Sequence, residues 1–97
     1  HETHANETAI PKGRYYNPAM GTVKIRSDST SVVLEFEPTS VADLYSANKD
    51  QFVAVFRSGE KWRMSVDMLR DDRGKITGFV LGRRGGAQQQ LEFRIQN

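Results

Sequence analysis

The sequence predicts an all-β fold, a small antiparallel meander of about eight strands that closes, or nearly closes, into a barrel. Three observations predict it. From residue 14 onward apolar and polar residues alternate with period two, the spacing of half-buried strands. No segment keeps helical spacing for more than two turns. Short clusters of Gly, Asp, Asn and Ser separate the alternating runs, as in a sheet whose strands follow one another through hairpins. Closure would also hide the free strand edges that invite aggregation.

The elements follow in order. Residues 1–13 (HETHANETAIPKG) are polar and aperiodic and end in Pro11 and Gly13. They read as a linker or flexible arm, with a single barrel-like domain over residues 14–97. Residues 14–17 form a short opening strand. Residues 20–27 place Val23 and Ile25 on one face against Thr22, Lys24 and Arg26, and residues 31–37 place Val32, Leu34 and Phe36 against Glu35 and Glu37. The polar link 27–30 makes these two a hairpin. Pro38 stops the second, because proline donates no ladder hydrogen bond.

Residues 41–47 fit either a short strand or one helical turn capped by Ser40. Residues 51–57 are strongly β, with Phe52, Ala54 and Phe56 on one face and Val53 and Val55 on the other. Two apolar faces suggest a strand covered on both sides, with a neighbouring domain as one candidate cover. In residues 61–70, Trp62, Met64, Val66 and Met68 share a face. Residues 71–75 form a tight turn with Gly74 at its left-handed position. Residues 76–84 form the return strand, Gly85 and Gly86 a flexible tip, and residues 89–95 the last strand, with Leu91, Phe93 and Ile95 on one face.

Composition narrows the function classes. Fourteen Lys and Arg against twelve Asp and Glu leave a formal charge of +2 in 97 residues, and the signs alternate along the chain instead of clustering. Nucleic acid, which selects a basic face, is therefore not an expected partner. With no cysteine, thiol nucleophiles, disulfides and cysteine zinc sites are excluded. No apolar run approaches the ~20 residues a membrane-spanning helix needs.

The motifs with a chemical pattern read as structural. His1 and His4 have metal-compatible spacing, but no third ligand accompanies them and a flexible arm supplies no groups to orient the rings. Ser46-Ala-Asn-Lys49 and Tyr15-Tyr-Asn17 match the S-x-x-K and Y-x-N patterns of penicillin-recognising serine enzymes. Here their order is reversed, no K-T-G follows, and the domain is far smaller than such enzymes require. Asp71 and Asp72 are turn residues, and Gly82-Arg-Arg-Gly-Gly86 lacks the lysine and helix of a phosphate loop. Asn6-Glu-Thr8 is a formal glycosylation sequon. No catalytic residue, cofactor or metal site is expected.

The candidate contact residues are five. Arg83 and Arg84 border a glycine-rich tip, where two guanidiniums can hold an anionic group. Trp62 and its neighbour Arg63 suit stacking or an interface; the alternative, which the shared face with Met64, Val66 and Met68 favours, is a core tryptophan. Tyr15 opens the barrel next to Tyr16; one of the pair is expected to plug the barrel end and the other to meet solvent or a partner.

Residues 15–81 also resemble a known family. The matching pieces are Tyr16-Asn-Pro with Gly21-Thr-Val, Val33-Leu-Glu-Phe, Leu44, Asp50-Gln-Phe52, and Met64-Ser-Val before Asp71-Asp-Arg-Gly-Lys-Ile-Thr-Gly-Phe79. In this order they resemble the domain of unknown function found C-terminal to serine β-lactamase-like hydrolases, the penicillin-binding-protein-like peptidases and esterases. The segment before the Asp50-Gln-Phe52 element is shorter here than in that family. The resemblance implies a lipocalin-like β-barrel without catalytic residues. It would be an accessory domain that packs on the catalytic domain of its own parent chain to shape substrate access or oligomer contacts, in the periplasm or outside the cell. The alternative is a freestanding small barrel that binds a hydrophobic or aromatic ligand within Trp62, Met64, Met68, Phe52 and Phe56.

Overall fold

The computed structural model describes residues 3–6, 8–29, 31–37, 40–57, 63–83 and 90–96, with the side chains of Glu37 and Arg83 excepted. Within them run β1 (Thr3–His4), β2 (Gly13–Asn17), β3 (Gly21–Asp28), β4 (Ser31–Glu37), β5 (Ser40–Asn48), β6 (Gln51–Phe56), β7 (Arg63–Arg70), β8 (Ile76–Arg83) and β9 (Gln90–Ile95). The sheet order is β1-β5-β4-β3-β2-β9-β8-β7-β6, and the β5–β6 pairing closes it. β2 to β9 are thus a closed eight-stranded antiparallel meander, with β1 as one extra strand. The closed meander is what the alternation predicts, and the architecture is consistent with the lipocalin-like fold that the resemblance implies.

Each strand faces the core with every second residue. Val23 and Ile25, Val32 and Leu34, Ala42 and Leu44, Phe52 and Ala54, and Val66 and Met68 are buried in one cluster, which is period-two geometry bent around an axis. Tyr15, Phe79 and Phe93, all 0% exposed, fill the middle. Phe79 lies 5.1 Å from Tyr15, tilted, and 5.1 Å from Phe93, stacked. Gly78 permits the close approach of β8 and β9 beside this group, because a Cβ there would run into the carbonyl oxygen of Phe93.

The tight connections have the expected chemistry. Gly74 has φ 83°, and the Asp71 carboxylate accepts the amides of Arg73 and Lys75, both at 2.9 Å. Ser29 and Asp50 also adopt positive φ, 60° and 63°, in the turns after β3 and β5. The segment 40–48 is the longest strand and not a helical turn.

Among the described residues before β2, the structure differs from the expectation of a loose arm. β1 pairs antiparallel with β5 (Thr3↔Ser46, His4↔Tyr45). The Ala5 amide donates to the Leu44 carbonyl at 2.8 Å, and Asn6 bridges to Ser31 of β4. The arm therefore wedges into a cleft where β4 and β5 part, since their own register runs only from Glu37↔Ser40 to Val33↔Asp43. Ala5 and Ile10, 0% and 1% exposed, belong to the core. Burying Ile10 is worth about 2 kcal/mol. The misreading has a cause: with only Ala5, Ala9 and Ile10 apolar before Pro11, such a segment shows no period even when two of its residues are core.

A candidate contact end of the barrel

The register sorts the turns onto two ends. At one end, the arm end, lie the turns after β3, β5 and β7, together with the start of β2 and the close of β9. The chain crosses it between β1 and β2, anchored by Ile10 and by the Tyr15 hydroxyl, which donates to the Pro11 carbonyl at 2.7 Å. At the other, the loop end, lie the turn after β2, the close of β4, β6 and β8, and the start of β5, β7 and β9.

Inward-facing residues nearest the loop end are only partly buried: Phe36 of β4, Phe56 of β6, Met64 of β7 and Leu91 of β9. Phe36 and Phe56 have ring centroids 5.4 Å apart. At the arm end the partly buried counterparts are Ala9 and Ile95. Large apolar side chains therefore meet the solvent boundary mainly at the loop end. They are the last inward residues before each turn, a strand-end position that alternation marks but does not separate from true core.

Asn17 fixes the β2 side of this end. It is 7% exposed. Its amide nitrogen donates to the Glu92 carbonyl at 2.9 Å, and its side-chain oxygen accepts the amides of Ala19 and Met20, both at 2.8 Å. The β2–β9 ladder comprises only Tyr15↔Ile95 and Tyr16↔Arg94, so the Asn17 side chain continues it where backbone pairing stops. The available signal was the Asn-Pro step, which favours turn initiation. The Tyr15-Tyr-Asn17 match to a catalytic pattern thus has a structural account: a core tyrosine, an exposed tyrosine and a turn-closing asparagine.

The sequence-derived contact residues divide. Arg63 opens β7 and is exposed. Arg83 closes β8 and pairs in register with Met64, so both arginine backbones stand at the loop end. Trp62 and Arg84 lie outside the described residues. Tyr15 sits in the core, where burial pushes its phenol up to about 12, while Tyr16 is 43% exposed. Phe52 and Met68, expected to line a cavity, are 7% and 8% exposed members of the packed core.

Charges decorate the outer wall. The Arg57 guanidinium bonds Asp43 at 2.9 Å and also bonds Asp28, spanning β4 from β5 to β3. Beneath this span the outward-facing Val33, in register with Arg26 and Asp43, is 0% exposed. The Asp43 and Asp28 carboxylates hold Arg57 above its ordinary value, and the Arg57 hydrogen bond holds Asp28 below the usual carboxylate range. Arg70 grips Asp50 at the arm end with both contacts at 2.7 Å. Arg26 pairs with Glu35 at 2.6 Å. On the outer face of β6, Val53 and Val55 are half-buried. Among the described residues, no group of three or more histidine, aspartate or glutamate side chains is placed to hold a metal ion.

Compared with known proteins, the chain matches no family model, no curated protein and no solved structure.

Proposed function

We propose that the chain is a non-catalytic accessory domain that works by contact through the loop end of its barrel. The observation that carries this reading is the contrast between a packed interior and a partly exposed apolar rim. Tyr15, Phe79 and Phe93 occupy the middle of the barrel, which leaves little room for a ligand deep inside. Phe36, Phe56, Met64 and Leu91 instead stand at one end, beside the backbones of Arg63 and Arg83. An apolar centre edged by arginine is the composition of a protein contact. The partner we propose is the catalytic domain of a serine β-lactamase-like hydrolase on the same parent chain. That part of the proposal rests on the resemblance of residues 15–81.

An immunoblot of the source organism's extract with an antibody to this chain tests the tethered arrangement. A band several times larger than 11.0 kDa supports it. A band at 11.0 kDa contradicts it and favours the second reading, a freestanding barrel with a small apolar ligand seated against Phe36 and Phe56, whose rings touch at the loop end. In the parent, Arg83→Ala with Arg84→Ala is expected to alter substrate selection and leave folding intact; unchanged kinetics would remove the loop end from the account.

A further inference from the structure

Strand β5 needs a partner along its second half. β6 pairs its far edge from Ala42 to Asn48, but β4 leaves its near edge after Asp43. Backbone groups left bare there would form a short sheet edge. The arm fills the gap with two ladder residues and the Ala5 amide, and Thr3 and His4 are exposed. His4 adds a ring contact to Tyr45, 4.6 Å between centroids.

The arm has two anchors joined by a turn. Ala5 is one and Ile10 is the other. Between them the Ala9 amide donates to the Asn6 carbonyl at 2.9 Å, and the Asn6 side-chain oxygen accepts the Thr8 amide at 2.9 Å and the Thr8 hydroxyl at 2.7 Å. Opening that turn frees residues 3–6 while Ile10 keeps its place. Straightened, the four residues of that turn span at most about 13 Å. A bare β5 edge then accepts any chain able to supply an extended strand with a small buried residue beside Leu44, and every copy of this chain carries that strand.

We propose that the arm is exchangeable: residues 3–6 of one copy enter the β4–β5 cleft of a second copy, and reciprocally, in a two-fold swapped dimer. All ladder and core contacts of the arm are made again across the dimer, so the exchange costs little beyond opening the two turns. The arm's own tether favours the unswapped form at low concentration, because a short linker holds it at an effective concentration of about millimolar. The dimer is therefore expected as protein concentration approaches that value. This inference concerns the arm end and is independent of any role of the loop end.

The test uses Thr3→Cys combined with Ser46→Cys, a register pair in a chain with no other cysteine. Oxidation of a dilute sample locks the arm in its own barrel. Light scattering then compares the locked and reduced forms of the same protein up to about 1 mM. The locked form is expected to stay at the monomer mass at every concentration. The reduced form is expected to show a species of twice that mass that grows with concentration, and Asn6→Ala in the reduced background to raise its fraction several-fold. A reduced form that remains monomeric throughout, with or without Asn6→Ala, overturns the proposal. Equal dimerisation of both forms also overturns it, by assigning the contact to another surface.

Discussion

The two ends of the barrel are built from the same kind of strand terminus, yet they finish the core differently. At the arm end, Ile10 and the Tyr15–Pro11 hydrogen bond carry the chain across the opening, and the residues left partly exposed are one alanine and one isoleucine. At the loop end, two phenylalanines, a methionine and a leucine reach the boundary. The segment before β2 contributes Ala5 and Ile10 to the core, and both lie toward the arm end. The difference teaches that closure here comes from a segment that looks like a linker, and that the end it does not reach keeps its large apolar side chains partly exposed.

Substitutions along the barrel axis sharpen the contrast. Phe79→Ala, in the middle, is expected to cost about 3–5 kcal/mol of unfolding free energy in a urea titration. Ile10→Ala at the arm end should cost about 2–4 kcal/mol; a loss within about 0.5 kcal/mol would mean the arm is a surface tail and would erase the distinction between the ends. Phe56→Ala at the loop end, already half-buried, should cost the isolated chain only about 1–2 kcal/mol while weakening any complex formed there. Tyr15→Phe removes one hydrogen bond and leaves the tilted ring contact with Phe79, so about 1 kcal/mol is expected.

The smallest effect belongs to acid. Arg70 beside Asp50, Arg57 beside Asp28, and the Lys75 amide at Asp71 each hold a carboxyl below the ordinary 3.8. A carboxyl depressed in the folded state adds stability above its unfolded value and loses it as pH falls through the folded value. Stability is therefore expected to be flat above that range and to decline below pH 3.8. Asp50→Asn should shallow the decline, and an unchanged acid limb in urea titrations would show that the exposed Asp50–Arg70 pair contributes nothing measurable.

Most of the fold was legible because it is written in period two. Val23 and Ile25, or Phe52 and Ala54, announce their face without help from any neighbour. β5 was ambiguous because Val41 and Tyr45 on its outer face are as apolar as Ala42 and Leu44 on its inner one, so only the cross-strand partners decide between strand and turn. β1 was illegible for a different reason. Two ladder residues carry no period, and the cleft that holds them exists only once β4 and β5 have parted. The loop end was partly legible: the sequence placed Arg83 beside the tip at 85–86 and Arg63 near the start of its strand, but strand alternation alone could not tell that Phe36, Phe56, Met64 and Leu91 fall on the same end. Tyr15 and Tyr16 are adjacent, and alternation explains why one is core and the other faces solvent.

The most direct measurement is solvent paramagnetic relaxation of methyl groups, with a soluble gadolinium chelate added to isoleucine- and methionine-labelled protein. Met20, 53% exposed, sets the scale for a fully reached methyl. The account predicts that Ile10 relaxes as slowly as the core residue Ile25 and that Met64 falls between Ile25 and Met20. An Ile10 methyl relaxed as strongly as Met20 would contradict it, because the arm end would then be no more closed than the loop end.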